Sequence, residues 1–264
     1  FSSFFLKSLI KGLNLLFIRF DKEIFKEIFN YGYKFQLISI LQMLMDPLTK
    51  FLLKSYGGLA SVGYFELIFK FLFHARQLIV VATNTVIPTV ASLQEQINNN
   101  IKEKFNIIFS LNFIFSIIIL TLTFSLLPIF IAFVNIEMDE QVSLYSSLIY
   151  FGLLFNLFSV APFVFNLGLG RLNMNLLSIS LMAILNLTLS LFFAFFYQGT
   201  GVIMGWMSSQ IISNILLFLL FIRSQNISPR NIISKSDIFL VFTIIASLIA
   251  LYIFNSKFNS FNLF

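Results

Sequence analysis

The chain has 264 residues, of which 58% are hydrophobic and only 11% charged, with a mean hydropathy of +0.93. A soluble domain carries about 25% charged and about 45–50% apolar residues, so this composition excludes an ordinary soluble domain and fits an integral membrane protein. The absence of cysteine excludes disulfides, thiolate metal sites and cysteine nucleophiles. The single histidine argues against a histidine-built metal centre, and a net charge of +6 in such a chain reads as basic cytoplasmic loops rather than as a nucleic-acid surface.

A spanning helix needs about 20 predominantly apolar residues. That rule places segments at 1–19, 34–54, 62–88, 106–134, 142–168, 174–197, 201–222 and 237–256. The expected fold is therefore all-α, a polytopic membrane helix bundle of about eight transmembrane helices. The chain opens at Phe1, inside an apolar run and without the pattern of a signal peptide. It reads as the C-terminal part of a longer protein.

The first segment, 1–19, carries a polar stripe of Ser3, Lys7, Lys11 and Asn14 within about 80° of arc at the helical step of 100° per residue. Counting back from Arg19 at about 1.5 Å per residue, Lys11 lies about 12 Å deep and Lys7 about 18 Å. Lys11 is within snorkelling reach of the interface and Lys7 is not. Residues 21–33, DKEIFKEIFNYGY, are amphipathic: Ile24, Phe25, Ile28 and Phe29 recur at helical spacing opposite Asp21, Lys22, Lys26 and Glu27. Such a segment lies in the plane of the membrane interface and is expected to link two halves of the molecule.

Segments 34–54 and 62–88 form a hairpin around Gly57-Gly58, and both hold charge where a lipid-facing helix should hold none. Ionisable groups at membrane depth cost about 2.5–3.5 kcal/mol each, so they usually face a cavity and serve a function. Helical projection gathers Ser39, Gln42, Asp46, Thr49 and Lys50 within about 100° of the first arm. It gathers Glu66, Lys70, His74, Gln77 and Asn84 within about 80° of the second. A purely structural reading competes with this one, since Asp46 with Lys50 and Glu66 with Lys70 are i,i+4 pairs able to neutralise each other. Two stripes, with Arg76 in addition, favour the wall of an aqueous cleft. Lys7, Lys11, Lys50, Lys70 and Arg76 outnumber Asp46 and Glu66, and a cleft with surplus positive charge suits an anionic substrate. Asp46 or Glu66 would then be the candidate for a coupling proton or sodium ion; no other cofactor and no metal is expected.

Beyond the hairpin, connections alternate in charge. Arg19, Lys22, Lys26 and Lys34, then Lys102 and Lys104, then Arg171, then Arg223, Arg230 and Lys235 mark one side. The other side has Glu137, Asp139 and Glu140 in 135–141 and no charge in 198–200, with only Lys54 and Lys257 as bases. The positive-inside rule puts the first set in the cytoplasm. Phosphate-binding Gly-Lys-Ser loops, nucleophile elbows and zincin signatures are all missing, so a transporter is expected rather than an enzyme.

Residues 19–93 resemble the start of the second lobe of a polysaccharide (O-antigen, Wzx-like) flippase. That family belongs to the exporter superfamily that also holds the MATE drug antiporters and the lipid II flippase. The resemblance is carried by the amphipathic linker ending in Tyr31-Gly32, by Asp46-Pro47-Leu48-Thr49-Lys50, the Gly57-Gly58 turn, Gly63-Tyr64 and Pro88-Thr89. From 94 to 264 it rests on the helix pattern alone. It implies two similar bundles enclosing a cationic cavity, with 1–20 as the last helix of the first lobe, 21–33 as the cytoplasmic linker and 34–264 as the C-terminal lobe. It implies movement of undecaprenyl-pyrophosphate-linked oligosaccharide across the bacterial inner membrane by alternating access. Membrane lipid and the polysaccharide polymerase and chain-length machinery are the implied partners. Lys7, Lys11, Lys50, Lys70 and Arg76 would hold phosphate; Gln42, Asp46, Thr49, Glu66, His74, Gln77 and Asn84 would supply polar or coupling groups. The competing functions are a cation-coupled multidrug antiporter of the same superfamily and, behind it, a membrane enzyme of polysaccharide assembly.

Overall fold

The computed structural model describes residues 21–95, 100–136 and 138–227. Segments 1–19 and 237–256, and with them Lys7 and Lys11, lie outside the described residues. Every described element is an α-helix: α1 (Lys22–Asn84), α2 (Ile87–Glu95), α3 (Asn100–Phe133), α4 (Glu140–Phe158), α5 (Val160–Gly168) and α6 (Leu172–Ser224). Among the described residues, three stretches are long and apolar enough, by length and composition alone, to cross a membrane: Ile101–Phe133, Glu140–Gly168 and Leu172–Ser224.

Two of the helices cannot be straight. Lys50 and Glu66 form an ion pair, yet sixteen residues of uninterrupted helix would hold them about 24 Å apart. The chain reverses at Gly58, whose φ of 80° and ψ of 177° are open to glycine alone. In the same way Ser178 Oγ donates to the Ser213 carbonyl at 2.7 Å, so α6 folds back at Gln198 (φ 52°, ψ −131°). The segments expected at 174–197 and 201–222 are its two arms. Both hairpins reverse where the sequence analysis placed a turn.

Breaks at the other boundaries have local causes. Pro162 has no N–H to give the Phe158 carbonyl, and the segment expected over 142–168 breaks at Ser159 into α4 and α5. The segment expected over 62–88 stops at Asn84, and the chain restarts at Ile87 with Pro88 in the first turn of α2, where a missing N–H costs nothing. Pro47 and Pro128 remain inside α1 and α3. The amphipathic stretch 21–33 differs from expectation in one respect: it is continuous with the first arm of the hairpin. Asp21 caps it, its Oδ1 accepting from the Glu23 and Ile24 amides at 2.9 and 3.3 Å, and no residue up to Gly57 interrupts the helix.

The reversal points gather at two ends of the bundle. At one end Gly57 and Gly199 touch backbone to backbone: a Cβ on either would stand 2.8 Å from the other's Cα. Gln141, just after the 135–139 connection, donates to Ser61 Oγ at 3.1 Å and to the Tyr145 hydroxyl at 2.8 Å. At the other end the Tyr31 hydroxyl donates to the Leu167 carbonyl at 3.4 Å, and Val90, Phe105, Leu169 and Ile227 share one apolar cluster. The first end joins the connections poor in base; the second joins those rich in it.

Between the ends the packing is apolar. Phe65, Ile68 and Leu72 of the second α1 arm meet Leu120 and Leu127 of α3, Tyr145, Ile149 and Leu153 of α4, and Trp206 of α6. Phe65 and Phe69 present their rings edge-on to Trp206, at centroid distances of 6.1 and 5.8 Å. The first arm packs separately, through Ile38 and Met45, on Leu172, Ile179 and Met182.

The contact of Gly57 with Gly199 sets the spacing of the two hairpins. Gly57→Ala and Gly199→Ala are each expected to lower stability by about 1–3 kcal/mol through overpacking. Gly63→Ala, whose Cβ meets nothing within 4 Å, should hold or raise it by up to about 1 kcal/mol. Thermal unfolding of the purified protein in detergent compares them, and equal melting points for all three contradict the close approach.

Candidate functional site

The α1 hairpin brings its charges into one line. Lys50 and Glu66 each lie eight residues from Gly58, so the reversal sets them side by side about 12 Å from the turn. Lys50 Nζ contacts Asp46 Oδ2 at 2.7 Å on its own arm and Glu66 Oε2 on the opposite arm. The other Glu66 oxygen, Oε1, contacts Lys70 Nζ at 2.6 Å. The result is an alternating ladder, Asp46–Lys50–Glu66–Lys70, in which the two inner groups each hold two partners. The i,i+4 pairs foreseen from spacing are present, and the cross-arm contact joins them.

The ladder lies on an open face. Its inner members are half-buried, Asp46 is exposed and the Lys70 side chain is 66% exposed. Met43 and Leu59, at 79% and 73%, fall on the same flanks of the two arms by helical projection. This face is distinct from the apolar groove of about 390 Å³ whose lining includes Leu78, Val86, Leu111 and Phe115.

Arg76 is turned elsewhere. By projection it stands about 120° from Lys70 around the second arm, on the flank that meets α4 and α6. Its Nε donates to Asn156 Oδ1 at 2.6 Å, and the guanidinium lies 5.2 Å from the centroid of the Phe73 ring. Asn156 Nδ2 donates to Gln210 Oε1 at 3.2 Å. Asn214 Nδ2 donates to the Gln210 carbonyl at 2.7 Å, and Ser159 Oγ donates to Asn214 Oδ1. A chain of polar side chains through the packed interior thus fixes one edge of the guanidinium. Among the described residues no carboxylate pairs with Arg76, and its terminal nitrogens are not among the buried atoms left without partners. They make no hydrogen bond among the described residues, so the half-buried guanidinium has donors to spare.

The remaining expected residues divide. Thr49 is buried: its Oγ1 donates to the Met45 carbonyl and accepts from Asn186 Nδ2, both at 2.9 Å. It joins the first arm of α1 to α6 and does not face the ladder side. Gln42, His74 and Asn84 are exposed and Gln77 is half-buried; none of the four enters the ladder. The surplus of base over acid also changes character. Within the ladder two bases meet two acids, so among the described site residues Arg76 alone carries unbalanced positive charge. No group of three or more His, Asp or Glu side chains is gathered as metal ligands among the described residues.

Sequence reasoning passed over Asn156, Ser159, Gln210 and Asn214. Their signal was present: Asn156 with Ser159 and Gln210 with Asn214 are polar pairs at i,i+3 and i,i+4 on otherwise apolar segments, the spacing that puts both on one face. Compared with models of known families, with curated proteins and with solved structures, the chain matches none.

A charge-assisted hydrogen bond contributes about 1.5–3 kcal/mol. A double-mutant cycle of Arg76→Gln with Asn156→Leu is expected to give a coupling energy in that range. The matching cycle of Lys50→Gln with Glu66→Gln should give about 1 kcal/mol or less, as half-exposed pairs do. Chemical or thermal unfolding in detergent reads both, and additive losses at Arg76 and Asn156 contradict the anchoring.

Proposed function

We propose that this chain is the second lobe of a two-lobed membrane transporter that moves a lipid-linked anionic oligosaccharide, of the undecaprenyl-pyrophosphate type, from the inner to the outer leaflet of a bacterial plasma membrane. The observation that carries this reading is the ladder Asp46–Lys50–Glu66–Lys70 on an open face of an otherwise apolar hairpin. Charges held against hydrocarbon would cost about 2.5–3.5 kcal/mol each. The face they occupy is therefore a wall of a water-filled cleft, closed on the far side by the preceding lobe that the family resemblance implies.

The eight expected spans, including those at 1–19 and 237–256, belong to this proposal, as does the placement of Lys34, Lys102, Arg171 and Arg223 in the cytoplasm. Arg76 supports the preference for an anion. A guanidinium held by one edge, with its terminal donors unused among the described residues, is suited to phosphate oxygens. Alternating access then amounts to rocking of the two lobes about the cleft, with Glu66 as the carboxylate that exchanges Lys50 and Lys70 for a coupling cation. The balance of charge inside the ladder favours one second reading, a cation-coupled multidrug antiporter, in which Asp46 and Glu66 rather than Arg76 meet the substrate.

The two readings separate in cells that make surface polysaccharide with the protein containing this chain. Arg76→Ala, alone and with Lys70→Ala, is expected to lower surface glycan about tenfold or more, as loss of one charge-assisted contact of 1.5–3 kcal/mol implies, while drug resistance stays unchanged. Normal surface glycan in a well-expressed double variant contradicts the flippase reading; lost drug resistance under the same conditions favours the antiporter.

A further inference from the structure

We infer that a basic pocket at the Tyr31–Leu167 end of the bundle holds a phosphate-bearing anion, and that its occupant is the headgroup of an anionic membrane phospholipid. The pocket is separate from the ladder and from Arg76, and does not rest on the transport reading. A cavity of about 460 Å³ is lined by Asn30 and Lys34 of α1 together with Arg171 and Asn173 at the start of α6. An adjoining cavity of about 410 Å³ shares Asn30 and Lys34 and extends past Ile28 and Tyr31. Together they form a concave site between two elements, large enough for a phosphodiester and its glycerol.

The charge is placed for an anion. Lys34 and Arg171 come from elements far apart in sequence, and neither pairs with a carboxylate among the described residues. The Lys34 ammonium lies 5.8 Å from the centroid of the Tyr33 ring, a contact that leaves its protons available to a ligand. Glu27 lines the second cavity and not the first, so the first holds two cations and no acid. The amides of Asn30 and Asn173 add donors beside them.

The walls are fixed by bonds on either side. The Tyr31 hydroxyl donates to the Leu167 carbonyl, and the Arg171 amide donates at 2.8 Å to the carbonyl of Asn166, a fully buried residue. Two cations of different reach, one a planar fork and one a point charge, converge on a site whose backbone is held in place.

The surroundings select a lipid over a free phosphate. Arg171 immediately precedes a helix long and apolar enough to cross a membrane. Ile28, which lines the adjoining cavity, belongs with Ile24 and Phe29 to an exposed apolar strip of α1. A headgroup in the cationic pocket would leave its acyl chains beside that strip. Basic pockets between spanning helices at the cytoplasmic surface recognise anionic headgroups in this manner.

The test uses the full 264-residue chain in nanodiscs or vesicles, of phosphatidylcholine alone or phosphatidylcholine with phosphatidylglycerol, with bound lipid read by native mass spectrometry and by a fluorescent phosphatidylglycerol probe. Lys34→Gln and Arg171→Gln are each expected to weaken phosphatidylglycerol binding about fivefold, and the pair about twenty-five-fold, the effect of about one lysine or arginine contact each. Lys34→Arg, which keeps the charge, should bind within about twofold of the parent; this conservative variant separates lost recognition from lost folding. The proposal is overturned if the double variant, with an unchanged melting point, binds the probe as the parent does. It is equally overturned if Lys26→Gln, at the same end but outside the pocket lining, weakens binding as much, which would make the attraction a diffuse surface effect. Displacement of the probe by inorganic phosphate at matched concentration would overturn the lipid as occupant in favour of a soluble phosphate.

Discussion

Lys50 stands between two carboxylates, Asp46 on its own arm and Glu66 on the facing one, and the α1 hairpin has the shape that this contact requires. The pair can form only because the chain reverses at Gly58, halfway between Lys50 and Glu66. The reversal in turn lets Gly57 close against Gly199 of the second hairpin. An apolar helix carrying one charge has a group to hide; this hairpin connects four of its charges in a line, with each inner group holding two partners. Linking them reduces the cost of carrying charge among apolar residues, and it leaves the whole line on one face. On the proposed reading that face meets water rather than hydrocarbon.

The interior of the bundle holds polarity of a different kind. Asn156, Gln210, Asn214 and Ser159 form a hydrogen-bonded chain that ends on Arg76. A fully satisfied buried network of this type rigidifies what it touches, and here it fixes a guanidinium by one edge. The two charged features therefore play separate parts. The ladder is electrically balanced and its members answer one another, whereas Arg76 is held by neutral groups and has no carboxylate partner among the described residues. The distinction bears on any function in which the protein handles an anion.

Much of the architecture was legible from apolar run length and from glycine. The stretch at 106–134 became α3, 142–168 became α4 and α5, and the turns at Gly57-Gly58 and 198–200 fell where the chain reverses. The charge alternation of the connections agrees with the end at which each reversal sits. The i,i+4 pairs of the ladder were also legible, because spacing on one helix needs no tertiary knowledge. What spacing left undecided is direction. Thr49 lies at the edge of the polar arc nearest Ile38 and Met45, and the packing of that edge on α6 turned its hydroxyl to Asn186. Arg76 is only six residues from Lys70 yet lies on a different flank of the arm, and its partner Asn156 is eighty residues away in sequence. The continuity of 21–33 with the hairpin was hidden by its composition, since an amphipathic surface stretch and an apolar arm look like two elements until the backbone joins them.

The proposed transport cleft requires the ladder face to be wetted. The chain has no cysteine of its own, so a single introduced cysteine is the one thiol these residues carry. Gln42→Cys, one helical turn from Asp46 on the ladder side, and Phe115→Cys, in the lining of the apolar groove, are the informative pair. With the protein in native membranes and a membrane-impermeant maleimide, Gln42→Cys is expected to label and Phe115→Cys to stay unlabelled until the membrane is dissolved in detergent. If Gln42→Cys remains as protected as Phe115→Cys in the intact membrane, the ladder faces lipid or packed protein, and the cleft does not exist.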